Sequence, residues 1–111
     1  MTVRIFTLDE FERQARRMSK KYKSLKSDIV SLVEQLQKNP FRGQDLGGGV
    51  RKIHMAINSN GKGKSGGARV LTLNILVSGN ADVTLLTIYD KSEMENVSDQ
   101  YIESLVREVM K

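Results

Sequence analysis

The sequence predicts one α+β domain over residues 1–111: an N-terminal strand and a helical hairpin packed on an antiparallel β-sheet, with a C-terminal helix. Three observations predict it. Apolar residues recur at helical spacing before Pro40, alternate at strand spacing between Ile53 and Val77, and return to helical spacing after Ser98. A chain of 111 residues supports one small core and leaves no room for a second domain.

Val3-Arg-Ile-Phe6 reads as a short first strand. Thr7 stands three residues before Glu10, the spacing of a capping box. Phe11, Ala15, Met18 and Tyr22 then form one stripe on a helix of about residues 8–22. Ser24 is placed to cap a second helix, striped by Leu25, Ile29, Leu32, Val33 and Leu36 and stopped by Asn39-Pro40. The link Tyr22-Lys23-Ser24 is so short that the two helices must fold back on each other. Phe41 to Gly49 reads as a connector. Ile53, Met55 and Ile57 then point to one side of a strand, with Lys52 and His54 on the other. Residues 58–67 carry no apolar side chain and read as a loop. Leu71, Leu73, Ile75 and Val77 alternate in the next strand. Ser78-Gly79-Asn80 turns into Asp82–Tyr89, apolar in both phases as a central strand should be. Ser98 caps a last helix striped by Ile102, Leu105, Val106 and Val109. The order is β-αα-βββ-α.

Composition removes whole classes of chemistry. The absence of cysteine excludes disulfides, thiolate nucleophiles and iron–sulfur clusters, and a single histidine excludes a histidine pair or a multi-histidine metal site. No apolar run exceeds the length of Ile75-Leu76-Val77, too short to span a bilayer. Acids at Asp9 and Glu10 come too early for a signal peptide, so a cytoplasmic location is expected. The net charge of +5 is unevenly spread. Residues 1–69 hold fifteen of the eighteen Lys and Arg, and residues 70–111 are net acidic. Such clustering is the footprint of a phosphate-rich or acidic partner.

The densest cationic stretch is the loop. Lys62 and Lys64 alternate with Gly61 and Gly63, and Gly66-Gly67 lead to Arg69. Residues two apart on an extended chain face one side, so both ammonium groups can meet one ligand. Glycine lets a phosphate approach the backbone, and arginine matches its oxygens with a planar fork. A flexible, solubilising hairpin connection would share this composition. Gly63-Lys64-Ser65 is not the end of a P-loop, because Asn58 replaces the required first glycine and a strand follows, not a helix. His54 alone reads as a strand-face residue, and Met55 and Met94 as packing residues.

Three segments carry a resemblance: Val50-Arg-Lys-Ile, Gly61-Lys-Gly-Lys-Ser-Gly-Gly-Ala-Arg69, and Leu86-Thr-Ile-Tyr-Asp-Lys-Ser-Glu-Met94. Together they resemble the RelE/ParE superfamily of toxin–antitoxin toxins, in its HigB/RelE-like branch, and the β-αα-βββ-α order and length are similar over nearly the whole chain. The resemblance implies a ribosome-dependent mRNA endonuclease that needs no metal or other cofactor. In that chemistry a 2′-hydroxyl attacks the adjacent phosphorus, leaving a 2′,3′-cyclic phosphate and a 5′-hydroxyl. It implies a catalytic set of Lys62, Lys64, Arg69, Tyr89, Lys91 and Glu93. Arg51, Lys52, Arg16, Arg17, Lys20 and Lys21 would contact RNA phosphates. The implied partners are the ribosome, mRNA and a cognate antitoxin whose acidic segment covers the basic face, with no membrane involved. Well-known members carry an arginine after the lysine and a tyrosine further on, where this chain has Ser92 and Ser98. The leaving-group acid is then Tyr89, Lys91 or a group of the ribosome. Two other readings of the charge pattern stand beside this one: a ParE-like inhibitor of DNA gyrase that cuts nothing, and a non-catalytic RNA- or DNA-binding module.

Overall fold

A computed structural model of the chain describes residues 1–61, 63 and 66–111. The fold is α+β, with the elements β1 (Val3–Thr7), α1 (Asp9–Ser19), α2 (Leu25–Lys38), β2 (Gln44–Gly47), β3 (Val50–Met55), β4 (Ala68–Val77), β5 (Asn80–Asp90) and α3 (Asp99–Met110). They form one sheet in the order β1-β5-β4-β3-β2. The three late strands β3, β4 and β5 pair antiparallel, as short links require.

Three local expectations are corrected. The connector 41–49 contains a strand. β2 pairs antiparallel with β3, Gln44 opposite Lys52 and Asp45 opposite Arg51. Its residues are exposed and have little strand propensity, so the hairpin turn makes the strand: Gly47, Gly48 and Gly49 all have positive φ (93°, 62°, 88°). The sheet is also mixed, since β1 runs parallel to β5 from Val3↔Ala81 to Thr7↔Leu85. The capping box at Thr7 is not formed. Thr7 still pairs with Leu85, and the Leu8 N–H donates to the Leu85 carbonyl (3.1 Å), so the backbone is strand up to the residue before α1. Leu8 occupies the cap position, and the Thr7 hydroxyl donates to Glu12 instead (3.1 Å). Asp9, Glu10 and Glu12 suit the positive end of the helix dipole.

At the other end α1 stops at Ser19, and the N–H groups of Lys21 and Tyr22 both turn back to the Met18 carbonyl (3.0 Å each). Ser24 precedes α2 but makes no cap bond; its hydroxyl donates to Asp28 (2.7 Å). Ser98 does cap α3, accepting from the Tyr101 N–H (3.1 Å).

The core has two parts, one on each sheet face. Phe11, Met18, Leu25, Leu32 and Leu36 from the helical hairpin pack on Ile53, Val70, Val83, Leu85 and Ile88. On the other face Val50, Leu71, Leu73, Leu86 and Tyr89 meet Leu105 of α3, with Tyr101, Ile102 and Val106 partly buried around them. One bulge decides which residues of β5 face which way. Leu71 pairs with Thr87 but Thr72 pairs with Leu85, so Leu86 is a surplus residue. Before it, Val83 and Leu85 face the helical hairpin. After it the phase is inverted, so Ile88 faces the hairpin and Tyr89 faces α3.

Candidate functional site

The inverted phase places Tyr89 opposite Arg69, and Arg69 in turn stands opposite His54 of β3. The three form one cross-strand row on the α3 face, two residues along β4 from the row containing Leu71. Arg69 does share the phase of Leu71 and Leu73, and it is only 4% exposed, with Nη1 donating to the Ala68 carbonyl (3.3 Å). Tyr89 is 5% exposed. Burial pushes its hydroxyl above the usual phenol range, and the Arg69 charge opposes part of that rise. His54 is exposed at the end of the row. Its place follows from the register of β3 on β4, which its single occurrence in the sequence could not reveal.

Two buried carboxylates flank the basic loop: one holds its start, and the other holds the turn after β5. Asp28 of α2, 3% exposed, accepts from the Asn58 side-chain amide (2.7 Å), the Asn58 N–H (3.2 Å) and Ser24 (2.7 Å), and the Ser59 N–H donates to Ser24 (2.8 Å). Asp90, 1% exposed, ends β5 and accepts from Tyr22 (2.6 Å) and from the Ser92 hydroxyl (2.7 Å) and N–H (2.9 Å), with Lys21 at 3.6 Å. Burial pushes its carboxyl up, but the Tyr22 and Ser92 bonds and the Lys21 charge outweigh it and hold it below the usual carboxylate range. At the far end of the loop Gly67 is obligatory. A Cβ there would sit 2.2 Å from the Met55 carbonyl oxygen. Its own carbonyl accepts from the Lys91 N–H (3.1 Å), joining the loop exit to the turn after β5.

The expected site residues therefore sort themselves by place. Arg69, Tyr89 and Lys91 lie together where β4 begins and β5 ends. Glu93 is exposed beside them and pairs with Arg17 (3.4 Å). Arg17 and Lys21, one turn apart on the helical elbow, both face this turn through Glu93 and Asp90. Arg16 instead lines the groove between α1 and α2, and Lys20 is exposed. Lys52 donates to Asn96 (2.9 Å). Arg51 points its guanidinium at the carbonyls of Arg42 (3.2 Å) and Gly43 (3.0 Å), bracing the chain before β2. Lys62 and Lys64 lie outside the described residues. Ser92 serves Asp90, and Ser98 serves as the cap of α3.

A groove of about 390 Å³ opens beside Tyr89, between α1, β5 and the start of α3. Tyr101, Asn96, Met94, Gln14 and Arg17 line it with Tyr89. Met94 is 44% exposed, so it is a groove residue and not a packing residue. The Tyr101 hydroxyl donates to Glu10 (2.5 Å) and lies 3.1 Å from the Thr87 hydroxyl. Among the described residues no group of His, Asp or Glu is arranged to hold a metal ion, and no helix is long and apolar enough to cross a membrane.

The arrangement brings one permanent cation, a phenol and a lysine to one end of a sheet, under a cation-bearing helix elbow. Arg69 and Tyr89 are buried there, and the exposed Arg17 and Lys21 face the same turn, so positive charge gathers at this end of the sheet. No curated protein matches the chain. The family model described as the RelE toxin of the RelE / RelB toxin-antitoxin system matches residues 3–110, essentially the whole fold including the row, the turn and α3. The chain belongs to the RelE toxin family, as the toxin half of a toxin–antitoxin system whose partner is an antitoxin.

Proposed function

We propose that this toxin is an endoribonuclease that cuts mRNA on the ribosome, in the cytoplasm, by 2′-hydroxyl attack. The observation that carries this reading is the pairing of Arg69 with Tyr89 beside Lys91, at the mouth of a loop bearing Lys62 and Lys64. A base takes the 2′-hydroxyl proton and the O2′–P bond forms as the P–O5′ bond breaks. The leaving 5′-oxygen takes a proton. The products are a 2′,3′-cyclic phosphate and a 5′-hydroxyl. Arg69 does not give up a proton, so its role is to stabilise the charge gathered on phosphorus. One of the loop lysines is the candidate base, a role that requires neighbouring cations to disfavour its charged form. Tyr89 and Lys91 are the candidate acids; Tyr89, raised above the usual phenol range by burial, carries its proton at neutral pH as any phenol does. Glu93 restrains Arg17 near the turn. Arg16, Lys20, Lys52 and Arg51 add positive field for ribosomal RNA, and an acidic antitoxin segment covers that same basic face.

Mapping new mRNA 5′ ends after expression in cells, beside a gyrase supercoiling assay, tests the reading. Codon-phased cuts are expected. Arg69→Ala should lose roughly 2.7–4 kcal/mol of transition-state stabilisation, about a hundred- to thousandfold in rate, with a melting curve confirming the fold. Intact mRNA with lost supercoiling would replace this reading with gyrase inhibition. Intact mRNA and normal supercoiling with RNA binding retained would leave a binding module.

A further inference from the structure

We propose that the short linker between α1 and α2 is a brace for the cutting site, with Tyr22 positioning Lys91 and Ser24 positioning the start of the basic loop. The inference rests on the nuclease reading and goes beyond it in naming two uncharged positioning residues. Residues 20–24 join α1, which ends at Ser19, to α2, which begins at Leu25. A link of that length has only to reverse the chain, and its polar side chains would ordinarily stand in water. Here the backbone is held from both sides. The Lys21 and Tyr22 N–H groups turn back to the Met18 carbonyl, and the Tyr22 carbonyl accepts from the Leu25 N–H (3.2 Å). The Tyr22 ring, partly buried, packs against the core under the helical hairpin.

From that base two side chains, two positions apart, reach the two flanks of the basic loop. The Tyr22 hydroxyl donates to Asp90 (2.6 Å), sixty-eight residues away in the chain. Asp90 gathers the turn that follows it. Its side chain accepts from the Ser92 hydroxyl and N–H, and its carbonyl accepts from the Glu93 and Met94 N–H groups (3.0 Å each). Lys91 sits inside that turn, and its own N–H donates to the Gly67 carbonyl at the loop exit (3.1 Å). At the loop start the Ser24 hydroxyl accepts from the Ser59 N–H (2.8 Å), and the Ser24 N–H donates to the Ser59 hydroxyl (3.3 Å). One short segment thus touches both the turn that carries Lys91 and the entry of the loop that carries Lys62 and Lys64. Placement matters for such groups, since a displacement of about 1 Å can cost about a hundredfold in rate.

The test joins amide hydrogen exchange, followed by NMR on the full-length protein, to cleavage by that protein of a defined mRNA on ribosomes. Tyr22→Phe removes one hydroxyl and keeps the ring. It should speed exchange at the Lys91 and Ser92 amides about tenfold, leave the amides of β3 unchanged, and lower kcat about tenfold or more with KM little altered. Ser24→Ala should speed exchange at the Ser59 amide and lower kcat by a smaller factor. A double-mutant cycle separates positioning from stability: if Tyr22 acts through Lys91, Tyr22→Phe lowers kcat far less in the Lys91→Ala background. Unchanged exchange at Lys91, an unchanged kcat, or additive losses in the cycle overturn the assignment of Tyr22. Unchanged exchange at Ser59 or an unchanged kcat in Ser24→Ala overturns that of Ser24. Exchange accelerated throughout the protein, with equal losses in both backgrounds, shows a merely stabilising linker and overturns both. A wild type that leaves mRNA intact defeats the nuclease reading, and the exchange measurements still decide whether the linker holds the turn and the loop start.

Discussion

The sheet face under α1 and α2 and the face under α3 differ in what they bury. Under the hairpin, Leu25, Leu36, Ile57, Val70, Val83, Leu85 and Ile88 are wholly inaccessible, and the cluster holding them is apolar throughout. Under α3 the apolar cluster is smaller, its members from α3 are mostly only partly buried, and it ends at Arg69 and Tyr89 beside an open groove. One face is closed and rigid, and the other is left incomplete at the end where the cations gather. The difference teaches that the site does not need its own core. It is carried on strands already fixed from behind.

Four substitutions break or sharpen that contrast. The largest effect on stability is expected from Leu36→Ala, which opens a cavity in the closed face and should cost about 2–5 kcal/mol in urea unfolding. Leu105→Ala on the α3 face should fall at or below the lower end of that range, since its surroundings are more exposed. Equal losses would show that both faces are load-sharing cores. Next comes Asp90→Asn, which weakens the bonds from Tyr22, Ser92 and Lys21 and should cost about 1–3 kcal/mol at neutral pH. Its pH dependence has a definite sign. The folded carboxyl titrates below its ordinary value of 3.8, so its stabilisation is complete above that value and disappears as pH falls through the folded value. The gap between wild type and Asp90→Asn should therefore narrow as a urea series is carried below about pH 4. The smallest effect is expected from Arg4→Ala. Arg4 makes a two-bond pair with Asp82 (2.8 Å each) across β1 and β5, but the guanidinium is exposed. Any loss should vanish in high salt, and a loss that persisted would mean that β1 depends on that pair for its place in the sheet.

The elements with strong periodicity were legible in the sequence. The stripes of α1, α2 and α3 and the alternation of β4 are repeated patterns of burial, and burial is what hydrophobic spacing encodes. β2 was not legible, because Gln44-Asp-Leu-Gly47 has no buried side and owes its conformation to the glycine turn that follows. The absent capping box has a similar cause: pairing of Thr7 with Leu85 is a contact seventy-eight residues away, and it overrides a local signal. In the site, Arg69, Tyr89 and Lys91 could be named from their motif. Their juxtaposition with His54 could not, since it depends on register. The anchoring by Asp28 and Asp90 was also invisible, because a carboxylate in a sequence gives no sign that hydroxyls and amides will surround it.

The single extra residue at Leu86 gives β5 a parity, and the chemistry of this face depends on it. Pairing the intact strand regularly through Leu86, with nothing left over, would exchange the two residues that follow. An aliphatic Ile88 would then stand beside the guanidinium, and the phenol would be driven into oil. Which side chain meets Arg69 is thus settled by counting along a strand: deleting Leu86 itself would keep Tyr89 in place, whereas ironing out the bulge with the sequence intact would not.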